Sequence, residues 1–229
     1  MFERVADWLS ATRAEPPLAD AKPPLADINS ALMAGVFSCV PAQRPLQVLD
    51  LAAGNAATVA FLNHFNCRVT FVSLLDELVA IDEAESQQRE CEAEFVSFST
   101  QQLIEFYAAL LDRLGVVSVD VCLCWDLLNY LPAEHFRALL EALQPRLHPF
   151  SCGHVIGAYN PRSAISAASY GIKELGLIEQ RRLELPANLR LYPYKQGELE
   201  HLLKPLQIDR SRLLGEGRVE YLLYHCDKP

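Results

Sequence analysis

The chain has 229 residues, and 29 Asp and Glu against 20 Lys and Arg give it a formal net charge of −9. This acidic balance, without any basic cluster, predicts no nucleic-acid binding, because such binding depends mainly on Lys and Arg contacts to phosphate. Apolar residues make up 51% of the chain, as in ordinary globular proteins, but no run of eighteen uncharged apolar residues occurs, so no membrane span is predicted.

The amino terminus and the cysteines indicate a cytoplasmic protein. The first ten residues, MFERVADWLS, place Glu3 and Asp7 where a secretory signal would need a basic and then an apolar region. The seven cysteines are an odd number, and no pair has the C-x-x-C spacing typical of a zinc site. We therefore expect reduced core cysteines and no bound metal.

Residues 1–44 are predicted to form an N-terminal helical and proline-rich arm, separate from an α/β domain at 45–229. The arm contains a near-duplicate, PPLAD, at 16–20 and 23–27, and proline pairs favour an extended conformation. A short amphipathic helix is predicted at 2–14 and a second helical segment at 28–40. Two interpretations stay open: the arm docks onto a protein partner, or it lies extended on its own domain.

From residue 46 onward, apolar runs typical of strands alternate with helical patterns. Seven strands are predicted, at 46–52, 68–74, 94–99, 116–125, 152–159, 206–214 and 218–226. The helices between them are predicted at 56–63, 75–84, 100–114, 132–147 and 197–204. Such alternation predicts a doubly wound, Rossmann-like α/β fold with a mainly parallel sheet, and the GEG turn at 215–217 closes it with an antiparallel hairpin. An irregular insert is predicted at 160–193.

The first strand ends in the turn VLDLAAGNA at 48–56, which carries the first candidate site. In an open parallel sheet, ligands bind beyond the carboxyl ends of the strands. This strand and turn resemble the first motif of class I S-adenosylmethionine (SAM)-dependent methyltransferases, D-x-G-x-G-x-G, which falls here on Asp50, Ala52, Gly54 and Ala56. Glycine lets the backbone approach the cofactor closely, and alanine is the smallest departure from it.

Two further segments extend the resemblance. The family has an acid after the second strand that binds both ribose hydroxyls, because a carboxylate accepts two hydrogen bonds at once. Ser73 occupies that position here. The segment VDVCLCWDLLNYLP at 119–132 resembles the fourth strand and its following loop, which lies beside the methionine end of SAM and the methyl acceptor. Asp126 and Asn129 either contact a ligand there or form the turn before the helix at Pro132.

The resemblance implies a SAM cofactor and a set of site residues. The implied cofactor-binding residues are Asp50, Ala52, Gly54, Asn55, Ser73, Leu74 and Asp126. The implied substrate-binding residues are Asn129, Tyr130 and Arg162. Arg162 belongs to the insert, where it either orients an anionic acceptor or lies on the surface.

Two functions remain open on sequence grounds. The first is methyl transfer from SAM to a small molecule or a protein side chain, and the second is a catalytically inactive relative that serves as a binding or scaffold module. The alanines at 52 and 56, together with Ser73, favour the second function, whereas the survival of Asp50, Gly54 and the loop at 125–130 favours the first. The phosphate loop of nucleotide hydrolases and the G-x-S-x-G nucleophile elbow are both absent from the sequence.

Overall fold

The computed structural model describes residues 25–38, 44–91, 94, 97–159, 166–185 and 189–225. The strands of this part of the chain are β1 Ile28–Asn29, β2 Leu46–Asp50, β3 Cys67–Phe71, β4 Val119–Trp125, β5 Leu147–Ala158, β6 Ala168–Glu174, β7 Leu177–Arg182, β8 Leu206–Leu213 and β9 Arg218–His225. The α-helices are α1 Met33–Ser38, α2 Ala56–Leu62, α3 Leu74–Cys91, α4 Thr100–Arg113, α5 Ala133–Leu143 and α6 Gln196–Leu202.

The main sheet has six strands in the order β3-β2-β4-β5-β9-β8. The pairs β2–β3, β2–β4 and β4–β5 are parallel, and β9 runs antiparallel to both of its neighbours. The predicted Rossmann-like fold with a closing antiparallel hairpin is confirmed. Because the chain proceeds outward in opposite directions from β2 and from β4, a crevice opens between the carboxyl ends of these two strands.

Among the described residues the main sheet has six strands rather than the seven predicted, and the predicted third strand is the one not found there. Within the segment predicted as that strand, the described residues, 94 and 97–99, lie outside any strand. Ser99 instead begins α4 with a capping box: its side chain accepts a hydrogen bond from the Gln102 amide, and the Gln102 side chain accepts one from the Ser99 amide. Reciprocal capping favours a helix start over strand pairing at this point.

Both faces of the main sheet are covered, and alternate residues of β4 face two different cores. Cys122 and Cys124 pack in the core under α3, α4 and α5, with their sulfur atoms 3.6 Å apart. Val121 and Trp125 pack in the opposite core, together with α1, α2 and the small sheet. The two cysteines are buried and reduced, as the sequence predicted.

A three-stranded antiparallel sheet in the order β1-β7-β6 covers the second face. It joins the N-terminal segment to the insert after β5, which the sequence analysis wrongly took to be irregular. The N-terminal segment is also held directly on the main sheet, because Ser30 Oγ donates to Glu220 Oε2 at 2.6 Å and the Ala31 amide donates to Oε1. His154 Nε2 lies 3.3 Å from the same carboxylate.

Part of the predicted arm therefore packs on the domain. Within the described part of the predicted helix at 28–40, residues 28–38, the helical residues are those of α1, which follows the two residues of β1. The predicted helix at 2–14 and the first PPLAD copy lie outside the described residues, and the arm–domain boundary at 44/45 stays a prediction. Among the residues described, no helix combines the length and apolarity that crossing a membrane requires.

Candidate functional site

A small cavity, the inner cavity, lies at the carboxyl ends of β2, β3 and β4, where the fold places its crevice. Its volume is about 110 Å³. Four of the predicted cofactor-binding residues line it: Ala52, Ser73, Leu74 and Asp126. Residues that the resemblance predicted in three separate segments of the sequence thus lie together in the structure.

Asp50 ends β2 and is not among the residues that line the inner cavity. Its Oδ1 accepts hydrogen bonds from the Ala52 amide at 2.9 Å and from Trp125 Nε1 at 2.7 Å. The side chain is buried, and burial raises its pKa to about 7 despite these two hydrogen bonds. Asp50 therefore shapes the loop after β2 and ties it to β4, while a direct contact with cofactor stays a prediction.

Gly54 and Asn55 lie at the start of α2 and are not among the residues that line the inner cavity. The Asn55 side chain accepts a hydrogen bond from the Ala57 amide at 2.8 Å and caps the helix. A Cβ on Gly54 would meet only the Phe71 ring, at an ordinary 3.7 Å. The local packing therefore does not require glycine at position 54, and its contact with cofactor stays a prediction.

Ser73 stands two residues after the end of β3, with a left-handed φ of 52°. Its carbonyl accepts a hydrogen bond from the Asp76 amide at 2.9 Å, which starts α3. Leu74, the first residue of α3, is buried in the core and also borders the inner cavity. The structure thus places Ser73 on the cavity wall, at the position where the resemblance expects the ribose-binding acid.

Tyr170 of β6 is the residue at this site that sequence reasoning missed. Its ring stacks on Trp125 with centroids 5.6 Å apart and planes 6° from parallel, and its hydroxyl donates to Asp126 Oδ2 at 3.0 Å. All three side chains are buried and border the inner cavity. Burial raises the Asp126 pKa to about 7, although the Tyr170 hydrogen bond and the Arg218 charge act in the opposite direction.

The backbone of β6 is fixed against the start of α2. A Cβ on Gly171 would come within 2.4 Å of Asn55 Oδ1, so only glycine allows this approach. The Ile172 amide donates to Thr58 Oγ1 at 3.2 Å. The close approach at Gly171 and the Ile172 hydrogen bond place Tyr170, which belongs to β6 and lines the inner cavity, next to the start of α2.

Asn129 lies in the 3-10 turn Leu127–Tyr130 and bonds to the backbone around it. Its amide nitrogen donates to the carbonyls of Asp126 and Ile156 at 2.9 and 3.0 Å, and its oxygen accepts from the Ala158 amide at 3.3 Å. These bonds join the loop after β4 to β5. Its contact with substrate stays a prediction, and both groups of the amide are already engaged.

A second cavity, the outer cavity, has a volume of about 330 Å³ and lies between α3 and the start of α5. Tyr130 lines it, as do Leu78, Phe98 and Tyr192. The two cavities border successive parts of the loop after β4, the inner one at 125–127 and the outer one at 130–132. Arg162, the third predicted substrate-binding residue, lies outside the described residues.

No cluster of three or more metal-ligating side chains occurs among the described residues. No protein-family model matches the sequence, and no curated protein matches it. Solved structures do resemble the fold. A SAM-dependent methyltransferase from Clostridium acetobutylicum is 15% identical, with a TM-score of 0.47, and the match covers 84% of this chain and 89% of that chain.

Two further structures were solved with ligand. The 1,6-didemethyltoxoflavin-N1-methyltransferase from Burkholderia thailandensis, with 1,6-didemethyltoxoflavin and S-adenosylhomocysteine bound, is 18% identical over 86% of this chain and 79% of that chain, with a TM-score of 0.43. The magnesium protoporphyrin IX methyltransferase from Synechocystis, with SAM bound, is 15% identical over 85% and 76%, also with a TM-score of 0.43. Similarity this low does not show the chemistry of this chain, which has to follow from its own residues.

Proposed function

We propose that the protein is a SAM-dependent methyltransferase that acts on a small molecule or a protein side chain. The observation that carries the proposal is the inner cavity, where Ala52, Ser73, Leu74 and Asp126 converge beyond the carboxyl ends of the parallel strands. In the family that the sequence resembles, the ribose of SAM lies at the position of Ser73 and the methionine end lies beside the loop of Asp126.

The polar groups on the wall of the inner cavity fit this ligand. The Ser73 hydroxyl can exchange a hydrogen bond with a ribose hydroxyl, and the Asp126 carboxylate, when ionised, attracts a cationic group. The small side chain of Ala52 lets a ligand approach the backbone closely. When bound, the cofactor supplies an electrophilic methyl group.

The volume of the inner cavity fits only part of the cofactor. Pockets for drug-sized ligands measure roughly 300–1,000 Å³, well above the 110 Å³ of the inner cavity. The Tyr170 ring fills the adjoining space on Trp125. We therefore propose that the Tyr170 side chain turns away when the cofactor binds.

Isothermal titration of the full chain with SAM and S-adenosylhomocysteine tests the proposal. We expect both to bind, and an Ala52→Val variant to bind more weakly because its larger side chain reduces the cavity. Ala60→Val, on an exposed face of α2, is the matched control. A folded protein that takes up neither ligand at millimolar concentration contradicts the proposal.

One observation favours the alternative, a catalytically inactive module. The Tyr170–Asp126 hydrogen bond lies at the wall of the inner cavity, whose volume is too small for the whole cofactor, and Ser73 stands in place of an acid. If neither the wild-type protein nor Tyr170→Phe binds SAM, the scaffold function is the better explanation. Its interacting surface would then be sought first in the N-terminal arm, much of which lies outside the described residues.

A further inference from the structure

The N-terminal segment 25–38, the strap, contacts both the β6–β7 hairpin and the main sheet. On the hairpin side, both residues of β1 pair with the start of β7. The Gln180 side chain also donates a hydrogen bond to the Ala26 carbonyl at 2.6 Å, and Lys173 Nζ lies 2.8 Å from Asp27 Oδ2. The position of the hairpin is therefore tied to the position of the strap.

Ser30 is the residue of the strap that bonds to three separate elements. Its amide donates to the carbonyl of Gly176, in the turn between β6 and β7, at 2.8 Å. Its hydroxyl donates to the Glu220 carboxylate of β9 at 2.6 Å and accepts from the Met33 amide, at the start of α1, at 3.0 Å. Ser30 is only 4% exposed, so water competes little for these bonds. The hairpin turn, the main sheet and α1 thus meet at one buried side chain.

The hairpin that the strap holds carries Tyr170 at the wall of the inner cavity. Two bonds of β6 depend on where the hairpin lies relative to the main sheet: the one from the Tyr170 hydroxyl to Asp126, and the one from the Ile172 amide to Thr58 Oγ1 of α2. A two-stranded hairpin is only marginally stable by itself. Its position therefore depends on its attachments, of which the contact with α2 is one and the strap is another.

We infer that Ser30 is a positioning residue, which acts through the strap to keep the hairpin, and with it Tyr170, in the closed position on Asp126. The strap is then an autoinhibitory contact for the inner cavity, and in this respect the inference rests on the proposed function. Without the Ser30 hydroxyl, Glu220 loses the shortest of its described hydrogen bonds and α1 loses its cap. The strap then holds the hairpin turn less firmly, and Tyr170 leaves Asp126 more often.

Hydrogen exchange of the Ile172 amide, followed residue by residue by NMR on the full chain, tests the inference without any ligand. This amide bonds to α2, so its exchange reports how often β6 leaves α2. The amides in the middle of β4 report global unfolding and serve as the reference. Ser30→Ala should increase the ratio of the Ile172 rate to the β4 rates at least about tenfold, the effect of losing a hydrogen bond to a charged group. An Ile172 rate that changes only in step with β4 overturns the inference.

Ser99→Ala is the matched control for the loss of a capping serine. Its hydroxyl bonds to Gln102 at the start of α4, which packs on the opposite face of the main sheet from the strap. It should lower the free energy of unfolding but leave the exchange ratio unchanged, and an equal rise of the ratio in both variants overturns the inference. If Ser30→Ala does not fold, Asp27→Asn decides, because it weakens only the exposed pair with Lys173. It should raise the ratio about two- to fivefold, the usual effect of one exposed ion pair, and an unchanged ratio then overturns the inference.

Calorimetric titration of the same variants with SAM separates this inference from the proposed function. Ser30→Ala should bind SAM at least about twofold more tightly than the wild type, because Tyr170 obstructs the cavity less often. A merely structural loss of stability would not tighten binding. If the exchange ratio rises but the affinity for SAM does not, Ser30 does not control the cavity and the inference is overturned. If the ratio rises as expected but neither protein binds SAM, the positioning of the hairpin by Ser30 stands and the methyltransferase proposal fails.

Discussion

Tyr170→Phe should tighten SAM binding, because it removes the hydrogen bond that holds the inner cavity closed. The Tyr170 hydroxyl donates to Asp126 at 3.0 Å, and the phenylalanine ring would keep the stacking on Trp125. A hydrogen bond to a charged group contributes about 1.5–3 kcal/mol. The closed state, in which Tyr170 obstructs the cavity, is in equilibrium with an open state that binds SAM. Destabilising the closed state by this amount therefore increases the apparent affinity for SAM about 10- to 100-fold.

The size of this gain should depend on pH in a defined direction. Burial raises the Asp126 pKa to about 7, so its carboxylate is mostly ionised at pH 8 and mostly protonated at pH 6. A hydrogen bond between neutral groups contributes only about 0.5–1.5 kcal/mol. We therefore expect the variant to gain about 10- to 100-fold at pH 8 but only about 2- to 10-fold at pH 6.

Isothermal titration of wild-type and variant protein with SAM at both pH values provides the measurement. Tyr159→Phe, which changes an exposed tyrosine at the end of β5, is the control and should leave the affinity unchanged. If Tyr170→Phe binds SAM no more tightly than the wild type at pH 8, Tyr170 does not obstruct the cofactor. An equal gain at the two pH values would refute the role assigned to Asp126.

Three other substitutions test separate parts of the site. Ser73→Asp should tighten SAM at least about tenfold in calorimetry, because a carboxylate accepts two ribose hydrogen bonds and Asp tolerates the left-handed φ at this position; weaker binding would contradict the placement of the ribose. Gly171→Ala should lower the free energy of unfolding in urea by about 1–3 kcal/mol, because its Cβ would meet the Asn55 side chain at 2.4 Å; no loss would show that Asn55 or β6 moves aside without cost. Asp50→Asn should flatten the pH dependence of stability. The pKa of Asp50 is raised to about 7 in the folded state, so its contribution to folding stability is present below pH 4 and is lost as pH rises to 7. In urea unfolding, the stability of the wild type should therefore fall between pH 5 and 7 relative to the variant, by up to about 1.4 kcal/mol per pH unit. Parallel curves of stability against pH would contradict this.

The parallel core of the fold was predictable because its strands are buried on both faces. Such strands are nearly continuous apolar runs, and Val119–Trp125, apolar except for Asp120, is buried along its whole length. The hairpin of β8 and β9 was predictable from its glycine turn, where Glu216 and Gly217 both have positive φ. The strand predicted at 68–74 instead ends at Phe71, because the chain turns through Ser73.

The insert was harder to predict because its strands are short and pair with a distant segment. Ala168, Tyr170 and Ile172 do alternate with more polar or smaller residues, a period-two signal for a half-buried strand. β7 pairs with its neighbour β6 and also with β1, almost 150 positions earlier in the chain, and no local pattern identifies this second partner. Tyr170 and Asp126 are 44 positions apart, so no local pattern shows their hydrogen bond either. Four cavity residues were therefore predicted, but Tyr170 was not.

The anchoring of β6 on α2 determines how fast a ligand can enter the inner cavity. Gly171 and Ile172 fix the backbone next to Tyr170, so the hairpin cannot swing away as a lid without losing both contacts. Entry then requires only a rotation of the tyrosine side chain. Rotation of one side chain moves far fewer atoms than a hinge motion, which takes microseconds to milliseconds, so we expect it to be faster even for the buried Tyr170. In stopped-flow experiments, association should therefore follow simple second-order kinetics, with an observed rate that increases linearly with ligand concentration.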